Sequence, residues 1–168
     1  MKNSILVKTL LSLSWMIILS WPNIIYGEEP SNRIVSTVEE LRLAIRSAVP
    51  GSHIILKDGE WRDAVIDFNA SATSLLPVVI QAQTPGRVVL TGSSMITFSK
   101  PYLIVDGITF RNGSINTGSV ITFNSDYCQL TNSAIINYNP DDFDTKYYWV
   151  YFHGNYNRVD HSFFTGKN

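Results

Sequence analysis

The chain is poor in the residues that carry most familiar enzyme chemistry. Cys128 is the only cysteine in 168 residues, which excludes an internal disulfide. No Ser-His-Asp order, no Cys/His metal spacing and no glycine-rich phosphate loop is present. Because Cys128 lies in an apolar, strand-like segment, we expect a buried and unreactive thiol.

The sequence also lacks an excess of basic charge. Residues 28–168, which exclude Lys2 and Lys8, hold 11 basic and 14 acidic side chains, a net charge of −3. A chain without a global basic field is a poor candidate for nucleic-acid binding. An anionic polymer would need a local basic cleft.

Helical periodicity is confined to one segment. Two capping boxes are possible at its start, Ser36 with Glu39 and Thr37 with Glu40. The pattern predicts one amphipathic helix over roughly residues 38–48. Its apolar face contains Val38, Leu41, Ile45 and Ala48.

Short β-branched segments closed by Gly, Asn or Asp make up most of the remaining sequence. One phrase recurs as Val105–Phe110, Leu130–Ile135 and Val159–Phe164, with starts 25 and 29 residues apart. This spacing is about one coil of a parallel β-helix. We therefore predict an all-β chain of about five stacked coils, with the helix capping the open end. Frequent asparagines from residue 102 onward predict asparagine ladders at the corners.

Two further segments have candidate binding chemistry. Residues 139–144 carry three carboxylates, which fit either a calcium loop or, as we favour, a solvated turn. Residues 146–154 are rich in aromatic side chains that can stack on sugar rings. Because alternate residues of a strand share a face, one aromatic set should fill the core and the other should stay exposed. The two sets are Tyr147, Trp149, Tyr151 and His153 on one face, and Tyr148, Val150 and Phe152 on the other.

Arg158, Asp160 and His161 lie close together near the end of the sequence. A surface ion pair between Arg158 and Asp160 explains these two residues better than a role in binding, and His161 is interpreted as a structural histidine. Residues alone therefore predict a secreted β-helix directed at polysaccharide.

The N-terminus has the pattern of a secretory signal peptide over residues 1–27. Lys2 and Lys8 precede an apolar segment, and Gly27 is a small residue at a plausible cleavage point. The alternative, a membrane anchor, is disfavoured because Pro22 and Asn23 shorten the apolar run below the roughly 18 residues of a spanning helix. We expect a secreted or periplasmic protein with no stable membrane span after cleavage.

Four phrases resemble the secreted chondroitinase B and alginate lyase family of polysaccharide lyases. They are Pro50–Trp61, Ala82–Gly92, Tyr102–Gly113 and Asn157–Asn168, in the family's order. The resemblance covers residues 35–168. It implies a right-handed parallel β-helix like that of pectate lyase and identifies residues 28–168 as the N-terminal part of such a domain, truncated at its C-terminal side.

The resemblance also implies a reaction and a substrate. Family members cleave a uronate-containing polysaccharide by β-elimination, with a lysine base, an arginine and commonly a calcium ion held by an Asn and two Glu. The resemblance places all of these residues beyond Asn168, so no catalytic or metal-binding residue is expected within this chain. At most, Arg158 and Lys167 would line an edge of the substrate groove. Alginate is the favoured substrate, dermatan or chondroitin sulfate comes second, and a non-catalytic carbohydrate-binding or adhesin β-helix is the competing hypothesis.

Mass spectrometry of the secreted product should show a chain that starts near Glu28. The reason is that the charged, apolar and small-residue regions follow one another in processing order. Recovery of the chain from the membrane fraction with Met1 retained would favour the anchor instead.

Overall fold

The computed structural model describes residues 29–168, so the predicted signal peptide lies outside the described residues. In that range the chain forms one helix, α1 (Val38–Ser47), and fifteen short strands. The strands are β1 (Asn32–Val35), β2 (His53–Leu56), β3 (Gly59–Arg62), β4 (Val65–Phe68), β5 (Val78–Ala82), β6 (Val88–Gly92), β7 (Met95–Phe98), β8 (Leu103–Asp106), β9 (Ile108–Gly113), β10 (Gly118–Phe123), β11 (Gln129–Thr131), β12 (Ala134–Ile136), β13 (Tyr147–Phe152), β14 (Arg158–Asp160) and β15 (Phe163–Thr165).

The strands build three parallel sheets that the chain visits in turn. Sheet A has the order β1-β2-β5-β8-β11-β14, sheet B the order β15-β12-β9-β6-β3, and sheet C the order β13-β10-β7-β4. Each coil therefore contributes one strand to each sheet, which confirms the predicted parallel β-helix. The described residues form four complete coils and two strands of a fifth, where the sequence predicted about five coils.

The recurring phrase occupies equivalent positions in successive coils. Leu130 pairs with Val105 on one side and with Val159 on the other, and Ile135 pairs in the same way with Phe110 and Phe164. Both predicted columns are confirmed. Val105, Leu130, Phe110 and Ile135 are fully buried, whereas Phe164, on the edge strand β15, is 39% exposed. Burial in the core thus depends on a neighbouring coil on each side.

The predicted helix forms and packs against the first coils. Thr37 is its N-cap and accepts the Glu40 N–H at 3.2 Å, while the Glu40 carboxylate accepts the Ser36 N–H at 2.7 Å. Leu41, Ala44 and Ile45 are buried, and the helix contacts β1, β2 and β4. Strand β1, which precedes the helix and extends sheet A, was not predicted. Within residues 29–168, no helix is long and apolar enough to cross a membrane.

A stack of phenylalanines runs through the core along sheet C. The Phe98 and Phe123 rings are 4.4 Å apart and nearly parallel, and Phe68 and Phe152 continue the stack at 6.1 Å and 4.7 Å. Their strands are in register, with Phe68 opposite Phe98, and Phe98 and Phe152 on either side of Phe123. Offset aromatic stacking therefore adds to the burial of apolar area at this position of every coil.

Asparagines occupy corners, as predicted, but they do not form a continuous ladder at the corner after sheet A. There, Asn132 has φ 49°, whereas the equivalent residues of the coils before and after it are Gly107 at φ 78° and His161 at φ 46°. At the corner after sheet B, Asn112 and Asn137 occupy equivalent positions one coil apart, with φ 54° and 47°. Both corners require a left-handed backbone, which Gly, Asn and His all adopt here.

Phe98→Ala should destabilise the chain by about 3–5 kcal/mol, because it removes a fully buried ring from the middle of the phenylalanine stack. Urea unfolding followed by circular dichroism would measure the change. Thr97→Ala is the matched control, since Thr97 is the next residue on β7 and faces outward. A Phe98→Ala loss no greater than that of Thr97→Ala would contradict the role of the stack.

Candidate functional site

The outer face of sheet C carries a polar strip that runs along the axis of the stack. Asp67, Thr97, Thr122 and Tyr151 pair in one column, and none of them is buried. Parallel strands are spaced about 4.8 Å apart, so this column spans roughly 14 Å over four coils. Such a strip offers hydroxyl and carboxylate groups to an elongated ligand.

Exposed aromatic rings lie at the fourth coil of the strip. Tyr151 and His153 have ring centroids 4.6 Å apart, and Tyr148 lies 5.1 Å from Tyr151. All three side chains are exposed. Aromatic faces next to polar groups suit the binding of sugar rings, which have both apolar and hydroxyl-bearing surfaces.

The predicted division of the aromatic segment is only partly correct. Register places Val150 and Phe152 alongside the fully buried Ile121 and Phe123, so these two residues continue the core columns. However, Phe152 is 48% exposed, because β13 is the edge strand of sheet C, and Tyr148 of the same set is 55% exposed. In the other set, Tyr151 and His153 are exposed, but Tyr147 and Trp149 are each only 8% exposed.

Tyr147 and Trp149 are buried because they belong to the hydrophobic core together with Tyr138. The Trp149 ring lies 6.5 Å from that of Phe164 in the inward column, and its Nε1 donates to the Tyr138 carbonyl at 2.8 Å. The Tyr138 hydroxyl in turn donates to the carbonyls of Gly92 and Ser94 at 2.6 and 3.0 Å, and burial raises its pKa to about 12. Hydrogen bonds across three coils thus fix this part of the core.

Lys167 lies at this same corner of the stack. Its Nζ is 3.7 Å from the centroid of the Tyr147 ring, a cation–π contact. The Tyr147 hydroxyl is bonded to the side chains of Asn139 and Asn168 at 2.6 Å each. The sequence proposed Lys167 as a residue at the groove edge, and the structure places it between sheets B and C, beside the aromatic segment.

Arg158 lies on a different face, the outer surface of sheet A. It forms the predicted ion pair with Asp160, whose carboxylate is only 18% exposed and also accepts from Gln129 Nε2 at 3.1 and 3.2 Å. Hydrogen bonding from the Thr131 hydroxyl, supported by Gln129, Arg158 and His161, holds the pKa of Asp160 well below its usual range. The structure therefore does not bring Arg158 and Lys167 together, and their roles as groove residues stay predictions.

In the acidic segment 139–144, residues 141–144 are exposed, whereas Pro140 is buried. The Asp144 N–H donates to the Asp142 carboxylate at 2.9 Å, and Asn139 Nδ2 donates to the Gly166 carbonyl. Throughout residues 29–168, no group of three or more His, Cys, Asp or Glu side chains is arranged to hold a metal ion.

Cys128 is buried, as predicted, and burial raises the pKa of its thiol. The thiol donates to the Lys100 carbonyl at 3.1 Å. His53, which opens β2, lies within 3.3 Å of Gln81 Oε1 across sheet A. Neither residue faces a cluster of other reactive groups, so both are structural.

A column of stacked tyrosines was missed in the sequence. Tyr102, Tyr127 and Tyr156 have ring centroids 5.2 and 4.8 Å apart, and all three have positive φ. The signal was present, because each tyrosine precedes the recurring phrase by three residues. Bulky residues rarely adopt this backbone conformation, which is why the pattern was not interpreted as a corner.

Comparison with known proteins identifies the family. A family model described as Chondroitinase B matches residues 35–168, the range over which the sequence showed its resemblance. The chain belongs to the chondroitinase B family. No curated protein sequence matches it.

Solved structures of polysaccharide lyase family 6 have the same fold. The chain is 46% identical to the lyase Pedsa3628 from Pseudopedobacter saltans, with a TM-score of 0.80 over 81% of this chain and 32% of that one. It is 33% identical to the alginate lyase AlyGC, with a TM-score of 0.78 over 82% and 20% of the two chains. A mannuronic-acid-specific family 6 lyase from human gut microbiota is 21% identical, with a TM-score of 0.71, and supports the fold alone. The chain thus spans a third or less of the length of Pedsa3628 and AlyGC.

Asp160→Asn should destabilise the chain at pH 7, and the difference from wild type should shrink as the pH falls. The folded pKa of Asp160 is depressed below the ordinary value of about 3.9, so its ionised form stabilises the fold above that value and loses this effect as the pH drops through the folded pKa. Urea unfolding of both proteins between pH 7 and pH 3 would measure this. If the difference in the free energy of unfolding does not change with pH, the charge of Asp160 does not contribute to the stability of the fold.

Proposed function

We propose that this chain supplies the N-terminal coils of a polysaccharide lyase that cleaves a uronate-containing polysaccharide, with alginate as its substrate, by β-elimination. The observation that carries the proposal is the family match over residues 35–168. The 46% identity to the Pseudopedobacter saltans lyase supports the activity, and the 33% identity to an alginate lyase supports the substrate.

β-Elimination sets requirements that can be compared with the described residues. The proton next to the uronate carboxylate must be removed by a base, while the developing negative charge is stabilised and the leaving oxygen is assisted. These groups must converge on one sugar. Arg158 and Lys167 lie on different faces, with Arg158 paired to Asp160 and Lys167 packed on Tyr147. Neither residue is therefore proposed as a catalytic residue.

In this proposal, the described coils support substrate binding and the stability of the stack. The strip from Asp67 to Tyr151 on sheet C runs parallel to the axis, as a polymer-binding groove would. Its hydroxyls can donate to sugar oxygens, and Tyr151 and His153 can contact a sugar face. The column from Asp67 to Tyr151 contains no lysine or arginine, which suits a sugar chain with one carboxylate per unit better than a more highly charged, sulfated one.

Calcium is part of the proposal for the whole lyase, and no ligand for it is proposed within residues 29–168. Secretion to the periplasm or the medium is likewise proposed, on the signal-peptide pattern of residues 1–27. Dermatan or chondroitin sulfate is the second candidate substrate, and the description of the matching family model favours it.

The 168-residue chain alone should release no unsaturated uronate from alginate or dermatan sulfate, with or without calcium. Arg158 and Lys167, the two groove residues predicted from the sequence, lie on different faces and do not converge on one sugar. Ultraviolet absorbance of the unsaturated product is the measurement. Turnover above that of an unrelated protein prepared in the same way would place an active site within this chain.

The companion experiment expresses any longer open reading frame that begins with this sequence. Its product should cleave alginate and lose activity when a chelator is added. Cleavage of dermatan sulfate in preference to alginate would exchange the two substrates. A longer product that binds alginate but cleaves neither polymer would favour the non-catalytic carbohydrate-binding alternative.

A further inference from the structure

A shallow cavity on the outer face of sheet B is distinct from the strip on sheet C. Its volume is about 290 Å³, and it lies across three successive coils. This is close to the lower end of the range for small-molecule pockets, about 300–1,000 Å³, so it suits one sugar unit. It is lined by Gly59, Glu60, Arg87, Val89, Thr91, Arg111 and Asn112.

Two arginines from neighbouring coils line this cavity. Arg87 immediately precedes β6, and Arg111 lies in β9, the next strand of sheet B. Both are exposed, and neither has a carboxylate oxygen within 4.0 Å among residues 29–168. Arginine is well suited to carboxylate and sulfate because its planar group donates two parallel hydrogen bonds. The charge of these two side chains is therefore available to a bound anion.

A β-bulge places Asn112 beside Arg111 on the outer face of the sheet. Leu90 pairs with Phe110 and Gly92 with Gly113, so one residue of β6, Thr91, stands opposite both Arg111 and Asn112. Bulges of this kind re-aim side chains and often lie next to binding sites. Asn112 adopts φ 54°, and a Cβ on Gly113 would collide with the Gly92 backbone. The backbones of β6 and β9 therefore approach each other closely at the bulge.

The floor and wall of the cavity complement a sugar. Val89 and Thr91 form a buried floor with exposed fractions of 9% and 4%. Glu60 accepts a hydrogen bond from the Thr91 hydroxyl at 2.7 Å, which orients its carboxylate. A sugar placed here would meet an apolar surface at Val89, an acceptor for its hydroxyls at Glu60, and the Asn112 amide beside the arginines.

We infer that this cavity is a second carbohydrate-binding site, which holds the acid group of one anionic sugar unit between Arg87 and Arg111. Because it faces outward from sheet B, it would anchor a polymer chain outside the strip on sheet C. The choice of a uronate as the ligand rests on the proposed function, whereas the two arginines would bind a sulfate group by the same chemistry.

The test is titration calorimetry of the monomeric chain, isolated by gel filtration, with trimannuronate, neutral mannotriose and a sulfated chondroitin oligosaccharide. Trimannuronate should bind and mannotriose should not. The double variant Arg87→Gln/Arg111→Gln should weaken trimannuronate binding at least about tenfold, since charge-assisted hydrogen bonds to the acid group are lost. Binding of the sulfated ligand alone would support the anion site and identify sulfate as its acid group.

The matched control is Arg33→Gln/Lys100→Gln, which removes the same charge from exposed positions that line neither the strip nor the cavity. Trimannuronate binding by this variant should change by less than about twofold, because isolated exposed charges are screened by solvent. Equal losses of affinity in both double variants would show general electrostatic attraction and would overturn the site. Unchanged binding by Arg87→Gln/Arg111→Gln would also overturn it. The same holds if the wild-type chain binds neither anionic ligand.

Two further measurements separate this site from folding and from catalysis. Circular dichroism should show that the Arg87→Gln/Arg111→Gln variant is folded, because both side chains are exposed. In NMR spectra of the wild-type chain, trimannuronate should shift the amides of Thr91 and Asn112, and shifts confined to sheet C would overturn the assignment. Binding does not depend on turnover, so the site can fail while the proposed lyase activity stands, and the reverse also holds.

Discussion

The whole structure depends on the pairing of each coil with the next in a fixed parallel register. A single coil cannot bury its inner face alone, and the backbone of its strands is satisfied only by strands above and below. The consequence is visible in the column of Phe110, Ile135 and Phe164. The first two have a coil on each side and are fully buried, while Phe164, on an edge strand, is 39% exposed. The burial of a core side chain, and the stability that it contributes, therefore depend on a neighbouring coil on each side.

Register also determines which parts of the fold could be predicted from the sequence. Inward positions repeat with each coil, so the spacing of Val105, Leu130 and Val159 was enough to predict their column. The helix was predictable because capping and periodicity are local. The corners were predicted only in part. Asparagines do occupy corners, as at Asn132, but many residue types satisfy a left-handed backbone, and Tyr102 and His161 adopt it as well.

Candidate binding residues were harder to predict, because binding depends on which outward positions remain uncovered. Tyr147, Trp149 and Tyr151 alternate along β13, yet only Tyr151 is exposed, while Trp149 packs near Phe164 of the inward column. On the neighbouring strand β10, the adjacent residues Val120 and Ile121 are both fully buried. Strict alternation therefore does not hold along the whole of these strands, and it could not predict which aromatic residues are exposed. Arg87 and Arg111 were not singled out either, because their proximity is created by stacking.

The cavity on sheet B shows how a repetitive fold can acquire a local site. Perfect register gives every coil the same outward geometry, with side chains at equal spacing and no concavity. A change in that register places two side chains where one would stand, as Arg111 and Asn112 do opposite Thr91. The bulge costs local pairing, but the columns on both sides of it remain intact, with Leu90 and Phe110 fully buried. A stacked fold can therefore vary its outer surface at one coil without altering the core, because inward and outward positions are independent along each strand. By this argument, departures from register are where binding residues on the outside of a β-helix should be sought.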